Sequence, residues 1–160
     1  MIVVADSSPL HYLILVEQAT LLQSLYSEVV IPEEVLAELS APEAPPAVVR
    51  WLLAAPPWLK VVQAPADRIA GILESLDLGE RAAIAVAEFT GADLLLIDEA
   101  AGRAEARRRQ IRVTGTFGVI RAAAENGLIN VPDVLRRLKD TNFYVDEALI
   151  DAVFERWCRE

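Results

Sequence analysis

The sequence predicts an α/β fold, a short parallel sheet sandwiched between helices. Two observations carry that expectation. Short apolar runs alternate with stretches of helical periodicity along the chain, which is the pattern of a sheet covered on both faces. The run Leu94-Leu95-Leu96-Ile97 is apolar without alternation, as a strand buried on both sides must be. The length of 160 residues suits one domain, taken as residues 1–160.

Taken in order, residues 2–5 read as a buried strand ending in Asp6-Ser7-Ser8-Pro9. Residues 10–16 and 21–26 read as helical turns. Residues 28–31 form a β-branched strand, and Pro32 is expected to open a helix at its favoured first position, with Glu33 and Glu34 in the first turn. The proline-rich stretch 41–46 is a loop. A helix over 47–55 is stopped by Pro56-Pro57, and 60–63 gives a third strand. Helices are expected over 66–75 and 79–90, a buried strand over 93–97, a helix over 99–110 and a last short strand over 111–114. Two or three helices from Phe117 onward complete the helical layer.

Composition removes several function classes. Hydrophobic residues make up 54% of the chain, yet no apolar run approaches the ~18 residues needed to cross a bilayer. The N-terminus lacks the basic start and long apolar stretch of a signal peptide, so a cytoplasmic, non-membrane protein is expected. Cys158 is the only cysteine and His11 the only histidine. An internal disulfide and a multi-histidine zinc site are therefore excluded. The net charge of −9 is unevenly spread. Residues 1–100 hold 4 basic and 15 acidic side chains, whereas residues 101–140 hold 9 basic and 4 acidic. The chain is thus no overall basic nucleic-acid binder, but it sets a basic segment beside an acidic body, which could also receive a basic partner. Neither a P-loop nor a Gly-x-Gly-x-x-Gly stretch is present, so a nucleotide cofactor has no support.

Two strands end in aspartate, at Asp6 and Asp98. In parallel sheets the working groups gather past the carboxyl ends of the strands, so neighbouring strands would place both carboxylates at one edge. Each Asp could instead cap the following helix. Glu80 lies in Asp77-Leu78-Gly79-Glu80, a capping box by pattern. It also shares a helix face with Ala83, Ile84 and Ala87, which directs it to the buried side, where an unpaired carboxylate is costly. Glu38 flanks the apolar face of Val35, Leu36 and Leu39 and reads by pattern as a solvated helix carboxylate. Carboxylates converging without histidine or thiolate form a hard oxygen site suited to Mg²⁺ or Mn²⁺, and the chemistry such a site supports is phosphodiester hydrolysis or a related phosphoryl transfer. Among the remaining polar residues, Ser7 and Ser8 could bind phosphate or a metal-held water. Arg107, Arg108 and Arg109, with Arg103 and Arg112, follow directly after Asp98; they read either as a solvated face or as phosphate contacts. His11 on an apolar helix reads as a packed residue. Trp51 and Trp58 flank the proline-rich loops and pack there or at an interface.

These residues resemble the PIN-domain family. The resemblance runs through Val4-Ala5-Asp6-Ser7-Ser8, Val30-Ile31-Pro32-Glu33-Glu34-Val35-Leu36-Ala37-Glu38-Leu39, Leu76-Asp77-Leu78-Gly79-Glu80-Arg81-Ala82-Ala83-Ile84 and Leu95-Leu96-Ile97-Asp98-Glu99. Later stretches around Thr114-Gly115-Thr116-Phe117 and Asn142-Phe143-Tyr144-Val145 are similar to a prokaryotic branch of PIN-like nucleases. The resemblance implies a metal-dependent ribonuclease whose acidic set maps onto Asp6, Glu38, Glu80 and Asp98. It raises Glu38 above what its helix pattern suggests. Many family members are toxins held by a small antitoxin, and many dimerise, so both partners are expected. Glu80 stands where better-known members often have Asp, which lengthens its reach to a metal. The expectation is therefore a Mg²⁺- or Mn²⁺-dependent endoribonuclease. Its rival is a catalytically inactive PIN-like module that docks a basic protein or nucleic acid. A haloacid-dehalogenase-type phosphatase is set aside, because Ser8 stands where that chemistry needs a second aspartate.

Overall fold

Val3, Val4 and Ala5 are wholly buried and form β1 (Val3–Ala5), the middle strand of the sheet. The computed structural model describes residues 1–158. On one side of β1 lie β2 (Val29–Pro32) and, beyond it, β3 (Leu59–Val62); on the other lie β4 (Leu94–Leu96) and β5 (Val113–Thr114). Every pairing in the order β3-β2-β1-β4-β5 is parallel. The chain therefore builds outward from β1 to β3, then crosses back to lay β4 against the free edge of β1. The β1–β4 junction is the point where the winding reverses, and the crevice outside its carboxyl end is where open α/β sheets hold ligands.

Helices cover the sheet. The first is α1 (Ser7–Leu15), with α2 (Leu21–Tyr26), α3 (Glu33–Leu39), α4 (Pro46–Leu53) and α5 (Ala66–Ala70) in the first half. The second half supplies α6 (Leu78–Thr90), α7 (Ala100–Arg108), α8 (Thr116–Glu125), α9 (Val131–Lys139) and α10 (Glu147–Cys158). The strands are short because buried parallel strands need only span the core. Wholly buried Leu95, Leu96 and Ile97 pack with Val3, Val4 and Ile84 there. The alternating pattern and the buried β4 run thus fold as the sequence predicts, and the closing helices do form part of the helical layer: Phe154 of α10 is buried against Phe117 of α8.

Two local expectations differ, and a third is narrowed to one of its alternatives. Pro32 ends β2, pairing with Val62, and stands before the first residue of α3 in an extended conformation; lacking an N–H, it can close a strand ladder without losing a bond. The helix expected over 66–75 stops at Ala70, where Gly71 follows. Trp58 is buried against Trp51, with ring centroids 5.8 Å apart, so this pair packs internally. Of the described residues, no helix is long and apolar enough to cross a membrane.

Candidate functional site

The β1–β4 register decides where the strand-end aspartates stand. Ala5 pairs with Leu96, and the Asp6 N–H donates to the Leu96 carbonyl at 2.8 Å. Asp6 and Asp98 therefore leave neighbouring strands at the same edge. Neither caps its own following helix through its side chain. Asp6 occupies the N-cap position of α1 without a side-chain cap bond, and at α7 that position belongs to Glu99. Asp98 instead reaches the start of α8. Its Oδ1 accepts from the Thr116 N–H and its Oδ2 from the Thr116 hydroxyl, both at 2.7 Å. Gly115 permits this approach, since a Cβ there would lie 2.5 Å from Asp98 Oδ1.

Helix α6 packs across β1, β2 and β4 and brings its first turn to the same edge. The capping box is real: Asp77 accepts from the Glu80 N–H at 2.8 Å, and Glu80 Oε1 accepts from the Asp77 N–H at 3.3 Å. It uses one oxygen of Glu80 only. The other, Oε2, is buried without a hydrogen-bond partner, as is Asp6 Oδ1. The capping box thus accounts for one Glu80 oxygen and leaves the other without a partner.

Glu38 is half-buried and fixed from two sides, unlike the solvated carboxylate its pattern suggests. Its Oε1 accepts from the Gly79 N–H and its Oε2 from the Ser7 hydroxyl, each at 2.9 Å. A Cβ at residue 79 would fall on the Glu38 carboxylate, so only glycine lets α3 and α6 meet this way. Asp77, exposed at the head of α6, is a fifth acidic group, close enough to raise the proton affinity of Asp6, Glu38 and Glu80.

Burial in this setting pushes every one of the four predicted carboxyls upward. Asp6 is raised to about 7, first by burial and then by Asp77, Glu38 and Asp98, while the Ser7 N–H opposes the shift. Glu80 stands well above the usual carboxylate range, again first through burial and then through Asp77. Glu38 and Asp98 are raised by burial too, opposed respectively by Ser7 and Gly79 and by Thr116 and Arg103. Without a cation, such a cluster holds protons that carboxylates normally shed. A divalent ion would displace them. The donors are all hard oxygens, and Asp6 Oδ1 and Glu80 Oε2 are open positions, so the residues fit Mg²⁺ or Mn²⁺. The set is not assembled as a metal site: among the described residues no three Asp, Glu, His or Cys side chains are grouped so that they could hold a metal ion. The oxygens of Glu38 and Asp98 are turned toward protein donors.

The arginines divide along α7. Arg103, in the helix's first turns, donates to the Ile97 carbonyl at 3.0 Å and lies beside Asp98. Arg107, one turn further on, is exposed. Arg108 and Arg109 close the helix at the opposite edge of the sheet, roughly 10 Å along its axis from the carboxylates at 1.5 Å per residue. There Arg108 bonds buried Glu105 at 2.7 Å, and Arg109 bonds Glu88 at 3.1 Å and the Gly71 carbonyl at 2.9 Å. The structure thus gathers Asp6, Glu38, Glu80, Asp98 and Ser7 and leaves Arg108 and Arg109 outside, occupied by ion pairs.

Sequence reasoning missed Thr116 as the anchor of Asp98, for which the chain offers no local signal. It grouped Arg103 with the other arginines, although helix spacing from Asp98 could have separated it. His11 is half-buried against Tyr12, as expected of a packed residue.

A family model described as a PIN domain matches residues 2–159. No curated protein and no solved structure matches the chain.

Proposed function

The chain belongs to the PIN-domain family, a nuclease-type fold generally served by divalent metal, and on that premise we propose that residues 1–160 form one domain acting as a Mg²⁺- or Mn²⁺-dependent endoribonuclease. One observation carries the reading: two buried carboxylate oxygens without partners, Asp6 Oδ1 and Glu80 Oε2, in an acidic cluster at the reversal point of the sheet. Each such orphan costs about 1–3 kcal/mol or more, which a cation shared by these two oxygens would offset; the other unpartnered carboxylate oxygens among the described residues, on Glu34 and Glu105, lie outside this cluster.

When bound, the cation supplies water activation and charge neutralisation at phosphorus. The chain's own groups do the rest. Asp6 and Asp98 would hold the ion from adjacent strands. Glu80, whose Oε2 has no partner, would complete the ligand set or position the attacking water. Glu38, pinned by Ser7 and Gly79, orients that water or completes the ligand set, and the Ser7 hydroxyl stands where a phosphate oxygen would pass. Arg103 offers its guanidinium to the phosphate beside Asp98. Arg107 extends that cationic face toward the next phosphate, and Arg108 and Arg109 lie beyond it.

The toxin role, with a small antitoxin as partner, and the homodimer rest on the family resemblance. Exposed Leu53, Leu73 and Phe89 supply the apolar surface an association would use. A cytoplasmic location fits a ribonuclease substrate.

The test is cleavage of single-stranded RNA in Mn²⁺ by the purified chain. Asp98→Asn should abolish it while preserving the fold, since an amide can still accept from the Thr116 N–H and donate to its hydroxyl. Glu80→Gln should fall with it. Glu99→Gln should retain most activity, because Glu99 is exposed and outside the carboxylate cluster. Equal cleavage by wild type and Asp98→Asn would end the nuclease reading. The second reading, an inactive docking module, is favoured by one fact, that Glu38 and Asp98 already spend their oxygens on protein donors. It requires no cleavage by wild type in any divalent ion.

A further inference from the structure

Beside the carboxylates lies a cleft of about 480 Å³ that shares Asp98 and Arg103 with the proposed site and whose aromatic side chains that chemistry leaves without a role. Asp98, Glu99 and Arg103 are among its lining residues, together with the rings of Tyr12, Phe117, Phe143 and Tyr144. Three of the rings are locked together. Phe143 meets Tyr12 edge-on at 4.8 Å between centroids and Phe117 edge-on at 5.2 Å, and the Tyr12 hydroxyl donates to Asn142 Oδ1 at 2.9 Å. Tyr144, by contrast, stands 82% exposed, and among the described residues no ring contact holds it. A large aromatic side chain left in water next to a pre-formed aromatic wall is an unusual placement for a residue with only a packing role.

Arg103 is the one cation among the lining residues, beside Asp98 and Glu99. Arg103 uses an N–H on the Ile97 carbonyl, and the rest of its five-donor fork has no acceptor among the described residues. A planar apolar group flanked by an anion therefore fits the cleft: the anion on Arg103 next to Asp98, the plane against the aromatic wall. We propose that this cleft is a base-stacking subsite for single-stranded RNA. It would take the base of the nucleotide next to the scissile phosphate between Tyr144 and the wall of Phe143, with Arg103 on the phosphate. This inference rests on the nuclease reading for its substrate and adds the requirement that the RNA be unpaired, because a stacked base must leave its helix. Stacking is tolerant of base identity, so the subsite selects strandedness over sequence.

The test uses binding, so that hydrolysis does not enter. Fluorescein-labelled single-stranded RNA is titrated in Ca²⁺ and followed by anisotropy, alongside an oligonucleotide of the same length with abasic residues. Wild type should bind the base-containing RNA about tenfold tighter than the abasic one. Tyr144→Ala should lose that margin without weakening abasic RNA, and Tyr144→Phe should keep it. Tyr144 is a surface residue, so its variants should fold. Arg103→Ala should weaken both oligonucleotides and lower the salt slope by about one. Equal binding of the two oligonucleotides by wild type, or a Tyr144→Ala loss that is the same for both, overturns the subsite while Mn²⁺-dependent cleavage would keep the nuclease reading. Absence of both binding and cleavage by wild type overturns both.

Discussion

Asp6 is only 3% exposed, and its carboxyl is raised from 3.8 to about 7 by burial ahead of its acidic neighbours. A raised carboxyl stabilises nothing by ionising. Below the unfolded value, near 3.8, the group is protonated in both states and burial of its charge costs nothing. As pH climbs toward 7 the unfolded chain releases the proton while the folded chain keeps it, and stability falls; above 7 the full penalty, about 4 kcal/mol at 1.36 kcal/mol per unit, is in place. Metal-free protein should therefore lose melting temperature between pH 4 and 7. Asp6→Asn, which carries no charge to desolvate, should flatten that loss and equal or exceed wild type at pH 7. Thermal melts in a chelator across this range check it. A variant markedly less stable than wild type at pH 7 would assign Asp6 to a structural cap. Asp6, Asp98 and Glu80 were legible from sequence because strand ends and helix faces are local properties. The setting of Glu38 was not, since Ser7 and Gly79, its two donors, lie 31 and 41 residues away.

At the scale of elements, α7 performs two tasks at its two ends. Its first turns set Arg103 beside Asp98. Its last turn ties the molecule together, because Arg109 joins Glu105 of its own helix to Glu88 of α6 and to the Gly71 carbonyl. Glu105 has a fully buried side chain, so the loss of a cation there costs more than a surface pair would. Arg109→Ala should destabilise the fold by about 1–3 kcal/mol and leave the salt slope of RNA binding unchanged. Arg103→Ala should do the reverse. Chemical denaturation and salt titration of RNA affinity separate the two, and a steep salt effect from Arg109→Ala would put the far end of the helix on the substrate path. The sequence shows five arginines in ten residues with no way to sort them, because their partners Glu88 and Gly71 come from other elements. The same limit explains α5. Periodicity continued the helix to residue 75, but the chain turns at Gly71, whose carbonyl is then free to accept from Arg109. The sheet was legible for the opposite reason. A strand buried on both faces must be apolar throughout, and that signal is contained within the strand itself.

For the whole molecule, the cluster exists only when four segments meet. Asp6 follows β1, Glu38 ends α3, Asp77 and Glu80 head α6, and Asp98 follows β4. An unfolded chain scatters these carboxylates, so a cation that bridges them binds the folded state and stabilises it by mass action. At a hundred times the dissociation constant the gain is about 2.7 kcal/mol, which for a chain of this size raises the melting temperature by roughly 5–10 °C. The gain should depend on pH in the direction opposite to metal-free stability. Near pH 5 Asp6 still holds its proton, which the ion must displace, so the shift should be small; near pH 8 it should be largest. Asp6→Asn and Glu80→Gln should each reduce the shift at pH 8, because each removes a carboxylate bearing an open oxygen. Glu88→Gln, in an ion pair at the far end of α6, should leave the shift unchanged even if it lowers the starting temperature. Scanning Mn²⁺ and Mg²⁺ from micromolar to tens of millimolar at pH 5 and pH 8 gives the answer. No shift at pH 8, or an equal shift in Asp6→Asn, would mean that the cluster settles its charge by keeping protons, and that no cation belongs at this edge of the sheet.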